Sequence, residues 1–198
     1  MTEEVLKYCE DNKIKCVFFD FFGTIVKRNC APEEIKIFWA KTLALKLKYN
    51  ISEEYLLTLR KKSEQAVILR AENREFNYEE LMDEIYRRII SLDYNFKFKY
   101  SKMEFYRLSH EVEVQCELIS QDYIEEDVEL INKLYAKGVH INILSDFYMG
   151  RKEIEIFLKK NDLIKKIENI FVSSDCRSSK YLGGLYKYAC KELEIDVA

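Results

Sequence analysis

The stretch KIKCVFFDFFGTIV, residues 13–26, contains a nearly continuous apolar run that stops at Asp20 and passes into a glycine turn. Aromatic and β-branched residues in so short a run are typical of a strand that is buried on both faces, as strands of parallel sheets are. Two later runs have the same character, VHINILS at residues 139–145 and IENIFVSS at residues 167–174. The sequence therefore predicts three buried strands.

A long block with helical apolar spacing separates the first strand from the second. Pro32 suits the first position of a helix, Ser52 precedes another, and capping boxes that begin at Asn77 and Ser101 predict two more. We therefore expect an all-helical insertion over residues 30–120.

Helices and strands alternate again after this insertion. Helical sequence precedes the second strand, lies between the second and third strands, and follows the third. This order predicts an α/β protein in which residues 1–29 and 121–198 form a Rossmann-like parallel sheet with right-handed crossovers. Such sheets carry their chemistry at the carboxyl ends of the strands.

The composition excludes several classes of function. The 198 residues include 32 Lys and Arg against 35 Asp and Glu, a net charge of −3 without a basic run, which favours neither nucleic acid nor an anionic membrane surface as a partner. The acidic start of the chain does not resemble a signal peptide, and no apolar run approaches the length of a membrane span. The six cysteines form no CxxC pair, which is typical of reduced, packed thiols. We expect a cytoplasmic protein.

Three polar side chains stand at or just beyond the ends of the three predicted strands. Asp20 precedes Gly23 and Thr24, and a carboxylate in this setting can attack phosphorus while Thr24 and backbone N–H groups hold the phosphoryl oxygens. Ser145 and Lys180 would add a hydroxyl donor and an ammonium at the same edge. Each residue alone can equally serve a turn or face solvent, so the pattern depends on their order along the chain.

In that order, the segments FFDFFGTIV, ILSD and SSDCRSSKYLGGLYK resemble three motifs of the haloacid dehalogenase (HAD) superfamily of hydrolases. The resemblance covers nearly the whole chain. It implies that Asp20 is the nucleophile, that Thr24, Ser145 and Lys180 bind phosphate, and that the helical insertion is a cap that closes over the site.

Two departures from the family pattern bear on activity. Phosphatases of the family usually carry an acid–base Asp two residues after the nucleophile, and Phe22 occupies that position here. The fourth motif, a strand ending in acidic residues that complete a Mg²⁺ site, is not found before Ala198, so we expect a truncated form of a longer protein with weak or no activity. The remaining candidate Mg²⁺ ligands are Asp20, the backbone carbonyl of Phe22, and Asp175.

The resemblance implies a phosphatase that acts on a small phosphorylated metabolite through an aspartyl-phosphate intermediate, alone or within a larger polypeptide. One alternative is a domain that has kept the fold, has lost the chemistry and serves as a binding module. Another is a metal-independent dehalogenase, in which Arg28, Arg70 or Arg74 would hold the substrate carboxylate or the departing halide.

Overall fold

The computed structural model describes residues 2–72 and 74–195, which divide into two compact units. One unit comprises Met1–Arg28 with Gln121–Ala198, and the other comprises Asn29–Ser120. Among the helices of these described residues, none is long and apolar enough to cross a membrane.

In chain order the strands are β1 (Cys16–Phe19), β2 (Val26–Arg28), β3 (Gln121–Tyr123), β4 (His140–Ser145) and β5 (Asn169–Val172). The helices are α1 (Thr2–Asp11), α2 (Pro32–Leu47), α3 (Glu53–Ala71), α4 (Tyr78–Leu92), α5 (Phe96–Lys99), α6 (Lys102–Ile119), α7 (Glu125–Ala136), α8 (Arg151–Lys159), α9 (Ser173–Cys176) and α10 (Gly184–Glu192), with a 3₁₀ turn at Leu163–Lys166.

The three predicted strands form a parallel sheet in the order β1-β4-β5, which confirms the α/β fold expected from the sequence. Every residue of β4 except His140 is buried, as expected for a central strand covered on both faces. Helix α10 contributes Leu185 and Ala189 to a buried cluster with Leu144 of β4 and Phe171 of β5. This packing anchors the segment that follows β5 to the sheet.

Strands β2 and β3 form a small antiparallel sheet where the first unit gives way to the second along the chain. Arg28 pairs with Gln121, so the two points at which the chain leaves and re-enters the first unit are adjacent. The sequence pattern did not predict these strands because each has only three residues and is largely polar.

The second unit contains α2 to α6, and every regular element described in it is a helix. Three of its helices begin where the capping residues predict: Ser52 accepts the Tyr55 N–H, and both predicted capping boxes are present, at Asn77 and at Ser101, whereas the short α5 was not predicted. These side chains satisfy backbone donors that have no partner within the helix.

The interior of the second unit includes a buried ion pair as well as apolar side chains. Trp39 and Phe105 are buried, and Arg60 on α3 makes two hydrogen bonds with Glu113 on α6, at 2.5 and 2.8 Å. The side chains of both members of the pair are fully buried. The Arg60 guanidinium also lies over the Trp39 ring, 4.6 Å from its centroid.

Candidate active site

The register of the parallel sheet brings the predicted strand-end residues together. Phe19 of β1 pairs with Ile143 of β4, so Asp20 follows at the level of Leu144 and lies beside the end of β4 at Ser145. Ser145 in turn pairs with Val172, the last residue of β5. The carboxyl ends of all three strands therefore meet at one edge of the sheet.

Asp20 and Lys180 are in direct contact at this edge. The Lys180 ammonium lies 2.6 Å from Asp20 Oδ1, and the Phe21 N–H donates to the same oxygen at 2.7 Å. Both bonds that the described residues make with this carboxylate go to Oδ1. This arrangement leaves Oδ2 available to attack a substrate.

Ser145 brings a buried hydroxyl to the same edge. The residue is fully buried, and its Oγ has no hydrogen-bond partner among the parts of the chain that the structure describes. A buried hydroxyl without a partner is destabilising, and such groups are uncommon in folded proteins. The hydroxyls of Ser63 and Ser109 in the helical unit are also buried and unpartnered among the described residues, so it is the position of Ser145 at the strand end next to Asp20 that makes it a candidate ligand donor.

Thr24 lies in the turn that follows Asp20. The turn is closed by hydrogen bonds from the Gly23 N–H to the Val26 carbonyl, at 2.7 Å, and from the Val26 N–H to the Phe21 carbonyl, at 3.0 Å. Gly23 adopts a φ of +81°, a conformation that glycine reaches without strain. Within the described chain, the half-buried Thr24 makes no hydrogen bond to Asp20, Ser145 or Lys180.

Asp146 is a site residue that the sequence did not predict. Its Oδ1 accepts the backbone N–H of Lys180 at 2.8 Å, which links the end of β4 to the loop that carries the lysine. The one available signal was an aspartate directly after the strand-end Ser145, and this pattern also fits a simple turn.

The end of the third predicted strand differs from the expectation. Ser173 and Ser174 were expected in the strand but begin α9 instead. The Ser173 hydroxyl accepts the Phe147 N–H at 3.1 Å, and the Ser174 hydroxyl donates to the Met149 carbonyl at 2.9 Å. These bonds to the loop after β4 turn the chain away from the strand direction.

Asp175 caps the start of α8. Its Oδ2 accepts the Arg151 N–H at 2.7 Å, a favourable contact because the first N–H groups of a helix lack partners within it. Gly150 permits the close approach, since a Cβ at that position would lie 2.7 Å from Asp175 Oδ1.

The two carboxylates among the predicted Mg²⁺ ligands already have partners in this arrangement. Lys180 already neutralises Asp20, and Asp175 is bonded to the start of a helix. No group of three or more His, Cys, Asp or Glu residues within 2–72 and 74–195 could hold a metal ion. Mg²⁺ usually keeps several waters and binds through one or two carboxylates, so of the two predicted carboxylate ligands only Asp20, through Oδ2, would be free to hold it.

Phe22 occupies the position expected for an acid–base carboxylate. Its ring lies 4.9 Å from that of Phe147, and the Arg28 guanidinium stands 3.9 Å from its centroid. Phe22 therefore contacts both an aromatic ring and a cation. It cannot transfer a proton.

A thiol near this edge is a poor alternative nucleophile. Burial, together with the neighbouring Asp175 carboxylate, raises the pKa of Cys176 to about 11. The protonated thiol that results at neutral pH is weakly nucleophilic. All six cysteines are free, as expected from their spacing.

The solved structures that this fold matches include members of the HAD superfamily. YfnB from Bacillus subtilis, assigned as a HAD-hydrolase and bound there to magnesium, matches with a TM-score of 0.56 and 13% identity over 90% of this chain and 73% of its own. A predicted phosphoglycolate phosphatase from Haemophilus somnus matches with a TM-score of 0.53 and 12% identity over 92% and 73%. The L-2-haloacid dehalogenase from Xanthobacter autotrophicus matches with a TM-score of 0.50 and 14% identity over 93% and 67%. The chain thus has the fold of the HAD hydrolases.

Sequence comparison adds nothing to this likeness, since neither a family model nor a curated protein matches the chain. The matching structures include phosphatases and dehalogenases alike. The choice between these chemistries therefore depends on the residues of the site.

Proposed function

We propose that this protein is a HAD-type hydrolase in which Asp20 attacks a small anionic substrate, with phosphate esters as the first candidates. The observation that carries the proposal is the contact between Asp20 Oδ1 and the Lys180 ammonium beside the unpartnered Ser145 hydroxyl. A nucleophile, a cation and a hydrogen-bond donor at one sheet edge are the groups that phosphoryl transfer needs.

In this mechanism Asp20 Oδ2 attacks phosphorus, the bond to the leaving oxygen breaks, and an aspartyl phosphate forms. Water then attacks phosphorus, which releases inorganic phosphate and restores the carboxylate. Lys180 neutralises charge on Asp20 and on the phosphoryl group, so two anions can approach each other. Ser145 and Thr24 donate hydrogen bonds to phosphoryl oxygens.

Phe22 restricts which leaving groups this site can expel. Since no carboxylate stands at that position to protonate a departing alkoxide, we expect leaving groups that are stable as anions. Aryl and acyl phosphates should therefore react faster than alkyl phosphates.

The same argument favours dehalogenation as a second candidate, because a halide leaves without a proton. Here Asp20 would displace the halide from carbon to form an ester, and water would hydrolyse that ester. Arg28 belongs to the same compact unit as Asp20 and its guanidinium stands 3.9 Å from the centroid of the Phe22 ring, two residues after Asp20, while Arg70 is bonded to Glu84. Arg28 is therefore our candidate for holding the substrate carboxylate or the halide.

The test is an assay of the full chain against p-nitrophenyl phosphate, acetyl phosphate, glycerol phosphate and 2-chloropropionate, each with and without Mg²⁺. Asp20→Asn is the blank, and Asp122→Asn, at an exposed position on β3, is the control for loss of an aspartate. We expect turnover that depends on Asp20 and is fastest with the aryl or acyl phosphate.

Single turnovers in ¹⁸O-labelled water distinguish the two chemistries. Phosphatase action places the label in inorganic phosphate, and dehalogenation through an ester places it in the Asp20 carboxyl. Ligand binding without Asp20-dependent turnover of any substrate would contradict the proposal and favour the non-catalytic binding domain. A large gain in rate with Mg²⁺ would support the Mg²⁺ site that the resemblance implies.

The proposed partner is a small anionic molecule. The net charge of −3 without a basic run favours neither nucleic acid nor a membrane surface. We expect the protein to act in the cytoplasm.

A further inference from the structure

We propose that Asp146 is a positioning residue that determines where the Lys180 ammonium lies, an inference that rests on the proposed roles of Asp20 and Lys180. Asp146 directly follows Ser145 at the end of β4, the strand beside β1. Its carboxylate holds the Lys180 N–H at 2.8 Å, while the ammonium of the same lysine lies 2.6 Å from Asp20. Asp146 thereby fixes the backbone end of the lysine at the sheet edge.

A lysine needs such an anchor because its four-carbon side chain is flexible. Its ammonium is a compact charge, so its effect on a ligand depends on where the side chain holds it. Two neighbouring hydrogen bonds stay within the loop itself: the Gly183 N–H donates to the Lys180 carbonyl at 2.8 Å, and the Leu182 N–H donates to Ser179 Oγ at 3.3 Å. These bonds shape the loop without linking it to the strand end. A shift of about 1 Å in a positioned group can reduce a rate by about two orders of magnitude.

The bonds of Ser173, Ser174 and Asp175 to the loop after β4 hold the preceding segment in the same way. Asp146 extends this set of contacts to Lys180 itself, seven residues beyond Ser173 in sequence. Each of these hydrogen bonds joins the segment after β5 to the segment after β4. The segment from Ser173 to Lys180 is therefore hydrogen-bonded to the segment after β4 at several points, and Lys180 is the last of these.

The role assigned to Asp146 depends on an acceptor oxygen and not on its charge. Asp146→Asn keeps an oxygen that can accept the Lys180 N–H, whereas Asp146→Ala removes it. Glu129 on α7 provides matched controls for the two changes, since its carboxylate lies 2.9 Å from Lys133 on the surface of the same unit.

Carbodiimide cross-linking tests the positioning without any assumption about activity. The reagent converts a carboxylate to an O-acylisourea; the neighbouring lysine, after loss of one proton to solvent, attacks the acyl carbon as an amine, and the amide forms as the C–O bond breaks, a second proton is lost and the urea departs. Peptide mapping then measures the Asp20–Lys180 cross-link relative to the Lys102–Asp83 cross-link in the same sample. We expect Asp146→Ala to lower this ratio at least 5-fold and Asp146→Asn to retain it. Equal ratios in the wild type, Asp146→Ala and Asp146→Asn would overturn the inference.

Inorganic phosphate binding, measured by calorimetry, tests whether the positioning serves the site. Asp146→Ala should weaken binding about 10-fold, Asp146→Asn should restore most of it, and the Glu129 variants should bind as the wild type does. In a Lys180→Met background, Asp146→Ala should cause no further loss, because Asp146 acts through Lys180 alone. A full additional loss there would overturn the inference. Failure of the wild type to bind phosphate while the cross-link still depends on Asp146 would count against the proposed function and not against the positioning.

Discussion

At the scale of single residues, Ser145 places a buried, unpartnered hydroxyl at the strand end next to Asp20. A buried hydroxyl without a partner reduces stability by about 1 to 3 kcal/mol. Ser145→Ala removes the hydroxyl without leaving a large cavity. We therefore expect this change to raise the free energy of unfolding by about 1 kcal/mol, measured by urea denaturation, and to weaken phosphate binding.

Ser174→Ala is the matched control, because Ser174 is also buried but donates a hydrogen bond to the Met149 carbonyl. Its loss leaves that carbonyl without the bond and should lower the free energy of unfolding by about 1 kcal/mol. A loss of stability in both variants would mean that Ser145 has a structural partner in solution.

The residues of the site differ in how well the sequence could predict them. The contact between Asp20 and Lys180 could be expected from the sequence, since the carboxyl ends of neighbouring parallel strands lie at one edge of the sheet. The bond of Asp146 to Lys180 could not be predicted, because it joins residues 34 positions apart through a side chain and a backbone group. Asp175 was considered as a metal ligand, yet a helix start lies close enough to use its carboxylate.

At the scale of elements, the buried pair of Arg60 and Glu113 joins α3 to α6. Removing one partner leaves a buried charge without compensation, so Arg60→Met or Glu113→Leu alone should lower the free energy of unfolding by about 3 to 5 kcal/mol. The double variant Arg60→Met with Glu113→Leu should recover most of that loss. Urea denaturation of the three variants measures the cycle, and additive losses would contradict this account.

A second contact between elements predicts how stability depends on pH. Burial alone would raise the pKa of Glu84 on α4, but hydrogen bonds from Arg87, Arg70 and Arg88 outweigh it and hold the pKa at about 2. A carboxyl whose pKa is lowered on folding stabilises the protein above its unfolded pKa of about 4.5, and this contribution is lost as the pH falls toward 2.

The two-and-a-half-unit shift corresponds to about 3 kcal/mol, and since Arg70 and Arg87 are largely exposed to solvent, we expect roughly half of that. Glu84→Gln should therefore lower the free energy of unfolding at pH 7 and flatten its decline between pH 4.5 and 2. Glu111→Gln, which alters a pair exposed on both sides, is the control. An unchanged slope in the Glu84 variant would show that the arginines do not stabilise the ionised carboxyl.

The sequence predicted elements well where a local rule operates. The capping residues at Ser52, Asn77 and Ser101 lie where helices begin, because a side chain satisfies nearby N–H groups in its own segment. Strands β2 and β3 were missed because each is stabilised by a partner about 90 residues away, which no local pattern reveals.

At the scale of the whole molecule, the helical unit is inserted between two residues that are themselves neighbours. Arg28 pairs with Gln121 in the antiparallel sheet, and within the helical unit the Asn29 N–H donates to the Ser120 carbonyl at 2.9 Å. Each unit also has its own buried core. Both ends of the insertion are therefore closed by local hydrogen bonds, which is the geometry expected of a unit that folds on its own.

This geometry predicts that the two units can be separated. A fragment of residues 29–120 should be helical by circular dichroism and unfold cooperatively.

A second protein, in which Asn-Gly replaces residues 29–120, should close β2 and β3 into a two-residue hairpin, because this dipeptide favours the required turn. It should keep the Asp20–Lys180 cross-link and bind inorganic phosphate within about 5-fold of the full chain, since those residues all belong to the first unit. Its preference among aryl, acyl and alkyl phosphates, compared with that of the full chain, measures what the helical unit adds to substrate choice. Loss of cooperative unfolding in both proteins would show that neither core is sufficient without the other.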